Sequence, residues 1–134
     1  MTFELSELNV WAILLGGLLY MAFGALYYSP LLFGNTWVRA NGLQDTYMNN
    51  PMLYVGAAIV AFASSFLIAV IVQVTGADDI LSALGVGLSV GLLAALGLLK
   101  NTLFGMTTRK VFAIAIGDHL IAFTLLSILH VMWP

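Results

Sequence analysis

Apolar residues run through this chain in long stretches that charged residues separate. Nothing charged lies between Glu7 and Arg39, between Asp45 and Asp78, or between Asp79 and Lys100, and the last stretch, Val111 to Trp133, carries only Asp118. A charge near the centre of a bilayer costs at least about 2.5 kcal/mol on insertion scales, so charges mark the ends of membrane spans. A helix needs about 20 residues to cross the hydrocarbon, and each gap holds one. The pattern predicts an all-α integral membrane four-helix bundle, one transmembrane domain over 1–134, with spans at about 8–28, 52–74, 80–102 and 111–133.

Composition agrees. Apolar residues make up 62% of the chain and charged residues 7%, whereas about a quarter of an ordinary soluble domain is charged. So few charges cannot cover the surface of a water-soluble bundle, and the expected partner is the lipid bilayer. The first span begins among Glu4 and Glu7 and runs into Leu26, Tyr27, Tyr28, Ser29 and Pro30. A cleaved signal peptide starts with a basic region and ends at a small-x-small site, so this span reads as a mature helix.

The cations set an orientation. Arg39 follows the first span, while Lys100, Arg109 and Lys110 flank the loop after the third. With four crossings those loops share one side, which the positive-inside rule makes cytoplasmic, leaving both termini and the Asp78/Asp79 turn non-cytoplasmic. Four scattered basic residues and a net charge of −2 exclude a nucleic-acid surface, which needs clustered cations. The absence of cysteine excludes disulfides, thiolate catalysis and Cys-based metal sites.

Residues 29–50 are more than a linker. Ser29 is a candidate helix cap and Pro30 a candidate first helical residue. Leu31, Leu32, Phe33, Trp37 and Val38 supply an apolar face, while Gly34, Asn35, Arg39, Asn41 and Gly42 supply a polar one. That division predicts a short helix lying in the cytoplasmic interface, with Trp37 and Arg39 at headgroup level. A re-entrant hairpin broken at Pro30 and Gly34 is the alternative. Asn50 and Pro51 then cap and open the second span.

Inside the membrane, Asp118 is the costly residue, roughly two turns into the fourth span. Alone or with His119, it reads as a proton or cation site; the plainer alternative is a neutral or salt-bridged residue that holds helices together. Lys100 is the candidate partner, about 9 to 12 Å away along the axis of an antiparallel hairpin, with Asn101 beside it. His119 and His130 share a stripe about 16 Å apart, too far to bind one metal ion, so no metal site is expected. His130 is expected in the outer interface beside Trp133.

Small residues recur at helical spacing. Ala57, Ala61, Ser65 and Ala69 line one face of the second span, and Gly87 and Gly91 form a GxxxG in the third, which also holds Gly85 and Gly97. Gly16, Gly17 and Gly24 lie in the first. These read as helix-packing positions, where small side chains let backbones approach. HExxH and a phosphate-cradling glycine loop leading to Lys-Ser/Thr are absent from the sequence, so no enzyme and no cofactor are expected.

The run Tyr28, Ser29, Pro30, Leu31, Leu32, Phe33, Gly34, followed by Trp37, resembles the hallmark of a family of small bacterial four-span proteins, domain of unknown function 1761. Asn101, Phe104, Arg109 through Phe112, Gly117 and His119 extend the similarity. The resemblance implies a bacterial inner-membrane setting, no assigned activity and no known cofactor. Two readings of function stand. One is an oligomeric transporter or channel-like protein for a proton or small solute, with Asp118, His119, Lys100 and Asn101 along a polar path. The other is a non-catalytic accessory or structural subunit of a larger membrane complex, docking through its small-residue stripes and the 28–34 segment.

Overall fold

The computed structural model describes residues 3–43 and 49–134. Among them are five α-helices: α1 (Val10–Tyr27), α2 (Gly34–Ala40), α3 (Pro51–Thr75), α4 (Ile80–Leu103) and α5 (Arg109–Met132), preceded by a 3-10 turn at Leu5–Glu7. Four of them, α1, α3, α4 and α5, are long and apolar enough to cross a membrane. Side-chain caps set where they begin. The Asn9 side chain accepts the Ala12 N–H at 3.1 Å, so α1 opens after Asn9 rather than at residue 8. Asn50 accepts from Met52 at 3.0 Å with Pro51 in the first turn. Thr108 accepts from Val111 at 3.2 Å, drawing the start of α5 back to Arg109. Asp79 and Ser82 form a reciprocal capping box on α4. Hydrogen bonds from the Ser82 hydroxyl and amide hold the Asp79 carboxyl below the usual carboxylate range.

The short helix expected after the first span is α2, but it opens at Gly34, not at Pro30. The Ser29 hydroxyl does not cap it. That hydroxyl turns back and donates to the Leu26 carbonyl at 2.7 Å, closing α1 instead. Residues 30–33 form turns between the two helices. Part of the 29–50 segment, residues 44–48 with Asp45, lies outside the described residues.

The bundle is built from two close pairs, α4 with α5 and α1 with α3, and α5 joins them by touching both α1 and α3. Small residues sit where the pairs meet. Ala61, Ser65 and Ala69 of α3 and Ala12, Gly16 and Gly17 of α1 are buried, as are Ala83, Gly87, Gly91 and Ala95 of α4. A Cβ on Gly87 would strike the Thr124 backbone, and one on Gly91 would come within 3.0 Å of the Leu120 Cα. Only glycine permits those backbones to approach so closely. The stripes are shorter than the sequence suggests. Ala57 is exposed, and a Cβ on Gly24, Gly85 or Gly97 would meet open space.

Bulky residues are displaced outward by this small-residue core. Leu81, Leu92, Leu93 and Leu96 of α4 and Ile59 and Leu67 of α3 are all exposed. In water that surface would drive aggregation; in hydrocarbon it is matched to its solvent. The chain is therefore a multi-pass membrane protein.

Candidate functional site

The residues that end α1 also build the most polar part of the interior. Past Tyr28 the backbone folds back on itself: the Phe33 N–H donates to the Tyr27 carbonyl and the Gly34 N–H to the Ser29 carbonyl, both at 3.0 Å. Gly34 is buried against the Tyr28 carbonyl, where a Cβ would collide with backbone. This tight return stacks aromatic rings into a cap. Phe33 lies 4.8 Å from Tyr27, and Trp37 meets Tyr28 edge-on at 5.6 Å between centroids. Phe23 packs on Tyr27 from the preceding turn at 5.3 Å.

The cap aims two hydroxyls at α5. Tyr27, 5% exposed, donates to the Ile114 carbonyl at 2.5 Å. Tyr28 donates to Asp118 Oδ2 at 2.8 Å. Ile114 and Asp118 are one turn apart on the same face of α5, so adjacent tyrosines reach successive turns. Gly117 leaves the room, since a Cβ there would strike the Tyr27 hydroxyl. Asp118 is 8% exposed, and its second oxygen, Oδ1, is buried with no hydrogen-bond partner. A carboxyl oxygen in that state is free to hold a proton or accept one more donor.

The partner expected for Asp118 is thus replaced. Lys100 and Asn101 are exposed near the end of α4 and do not reach it. Asp118 faces α1, where a neutral phenol meets it without bringing a second charge into the membrane. His119 faces elsewhere: its Nδ1–H donates to the Ala115 carbonyl at 2.7 Å, and its ring stands edge-on to Phe123 at 5.6 Å. The four residues proposed as one polar path do not come together in a single chain. Of the 28–34 segment, Pro30 and Phe33 remain exposed while Tyr28 and Gly34 make the contacts described.

A second polar cluster lies nearer the other end. The Ser65 hydroxyl donates to the Ile13 carbonyl at 2.8 Å, and His130 Nε2 lies 3.0 Å from the same oxygen. A hydroxyl has one proton, so the imidazole Nε2–H is the donor to Ser65. His130 is 5% exposed. Its ring turns into the bundle, where Ser65 offers an acceptor, while it shares a cleft with Trp133. Above it a cleft of about 230 Å³ is lined by Glu7, Asn9, Gln73, His130 and Trp133 among others. The start of α1 meets the end of α5 here, with the Asn9 side chain donating to the Trp133 and Pro134 carbonyls at 3.3 Å each. At the opposite end, Arg39 and Lys110 line an open cleft.

The sequence marks Gly117 only through the family resemblance and Ser65 only as a packing position, and it gives no sign of the Tyr27 contact or of the Ser65–His130 bond. The one available hint was spacing: two adjacent tyrosines ending an apolar span beside a proline must be placed by the turn that follows.

Residues 11–131 match the family model described as "Protein of unknown function (DUF1761)". No curated protein and no solved structure matches the chain.

Proposed function

The chain belongs to the DUF1761 family, and from that premise we propose that this multi-pass membrane protein moves a proton or small solute across a bacterial inner membrane, as an oligomer, with Asp118 and Tyr28 as its working pair. The observation that carries this reading is the buried Asp118 Oδ1, left without a partner while Oδ2 holds the Tyr28 hydroxyl. A carboxyl kept half-satisfied in a low-dielectric interior is expensive, and intramembrane carboxyls that pay such a cost serve proton or cation transfer. The two clefts lie at opposite ends of the bundle. A continuous path is therefore assigned to several copies, since four short helices enclose little volume. On this reading the cationic end is cytoplasmic, both termini are non-cytoplasmic, and the protein is not an enzyme.

In proteoliposomes the wild-type protein is expected to conduct a pH-dependent flux that Asp118→Asn abolishes without changing the oligomer's size on a column. Absence of any proton, cation or small-solute flux by the wild type across pH 5 to 9 would sink the reading. A second reading, a non-catalytic accessory subunit of a larger complex, is favoured by α4, which packs on α5 and leaves Leu81, Leu92, Leu93 and Leu96 uncovered. Recovery of only a homo-oligomer from gently solubilised membranes counts against it.

A further inference from the structure

Arg39 and Lys110 come from segments far apart in the chain, yet they line one open cleft of about 400 Å³ with Thr36 and Ala40. That volume falls within the range of about 300–1,000 Å³ typical of small-ligand sites. The fold creates this meeting by laying α2 against α5, so that the last turn of α2 faces the first turn of α5. The Arg39 side chain is held along α2 by its Nε–H, which donates to the Asn35 carbonyl at 3.3 Å. Its two terminal amino groups remain available to a ligand. Lys110 supplies a second positive charge and Thr36 a hydroxyl, and among the described residues none that lines the cleft is acidic. At the start of α5, Thr108 already satisfies the Val111 and Phe112 N–H groups. By helix geometry the Arg109 and Lys110 amides are the first-turn donors left over, at the positive end of the helix dipole. Two cations from separate elements, a hydroxyl and a helix start form a receptor for a phosphate-type anion.

The surroundings indicate where that anion comes from. Leu31, Leu103, Phe104 and Met106 at the same end are 86%, 76%, 77% and 73% exposed, an apolar surface suited to acyl chains. Basic pockets of this kind at the ends of spans take anionic headgroups. We propose that the Arg39–Lys110 cleft binds a phosphate-bearing anion, supplied by the headgroup of an anionic phospholipid. This site lies apart from Asp118 and does not depend on the transport reading.

The test uses the full chain purified in neutral detergent, titrated with phosphatidylglycerol, phosphatidylcholine or inorganic phosphate, and read by native mass spectrometry and melting temperature. Phosphatidylglycerol is expected to bind and to raise the melting temperature, and phosphatidylcholine, whose choline cation offsets its phosphate, to do so less. Affinity should fall about five-fold for each cation removed in Arg39→Gln and Lys110→Gln, and about 25-fold in the double variant. Arg39→Lys should keep most of the binding, which separates loss of charge from loss of fold. Lys100→Gln, outside the cleft, should leave it unchanged. Equal binding of phosphatidylglycerol by wild type and double variant overturns the site, as does an equal loss with Lys100→Gln. Inorganic phosphate binding with the same dependence on Arg39 and Lys110 upholds the site and overturns the lipid as its source.

Discussion

At Ser65 a single hydroxyl proton decides the roles of two neighbouring groups. Because it is donated to the Ile13 carbonyl, the Ser65 oxygen is left to accept from His130, and α1, α3 and α5 are joined through one atom. Replacing Ser65 with alanine removes that acceptor and strands a buried imidazole N–H. Interhelical hydrogen bonds in membranes average only about 0.6 kcal/mol, and an orphaned buried donor adds its own cost, so Ser65→Ala should destabilise by about 1–2 kcal/mol. A shift in the unfolding midpoint in mixed micelles measures this, and an unchanged midpoint would mean that His130 finds another acceptor. Asp118 obeys the same logic of partner choice. A phenol satisfies a carboxyl oxygen without the desolvation cost of burying a lysine beside it, which is why Tyr28 holds a place for which charge pairing would have nominated Lys100.

Between residues and the bundle, the element that organises most is the return from α1 to α2. Its geometry depends on Gly34, buried against the Tyr28 carbonyl. Gly34→Ala places a methyl against backbone that has nowhere to move, and is expected to lift α2, separate Trp37 from Tyr28 and cost about 1–3 kcal/mol. Gly24→Ala, within α1 but facing open space, should be neutral or stabilising by up to about 1 kcal/mol through helix propensity. Thermal melts with tryptophan emission read both, and equal behaviour of the two variants would refute the packing argument. The contrast between these glycines shows where sequence reading stops. Spans were legible because the cost of a charge in hydrocarbon is local: Glu7, Arg39, Asp78, Asp79 and Lys100 report it one residue at a time. Caps such as Asn50–Pro51 were legible for the same reason, while Ser29 was not, because its hydroxyl had a competing acceptor in Leu26. Partners across helices were the least legible. Which tyrosine reaches Asp118, or whether His130 turns inward, depends on crossing angle and register, and those follow from where Gly87, Gly91, Gly16 and Ser65 let backbones close up.

For the molecule as a whole, the described residues divide into two chemically distinct ends. One carries Arg39, Lys110 and the aromatic cap; the other carries Glu7, Asp79, the Asn9–Trp133 hydrogen bond and the cleft above His130. The proposed orientation is open to a direct check, because the chain has no cysteine and one can be introduced at either end. In intact cells a membrane-impermeant maleimide should label Asp78→Cys and spare Met106→Cys; the reverse pattern would invert the protein in its membrane.

The position of α5 has a consequence for biosynthesis. It is the helix that joins the α1–α3 pair to α4, and of these four spans it is made last. Until it leaves the insertion machinery, Tyr27 and Tyr28 have no acceptor and Ser65 has no histidine. The one carboxyl among the spans therefore enters lipid last, at a moment when the phenol that receives it has already been synthesised and its helix is in place. Translation order thus spares Asp118 a period alone in hydrocarbon, which a carboxyl in α1 would have to endure.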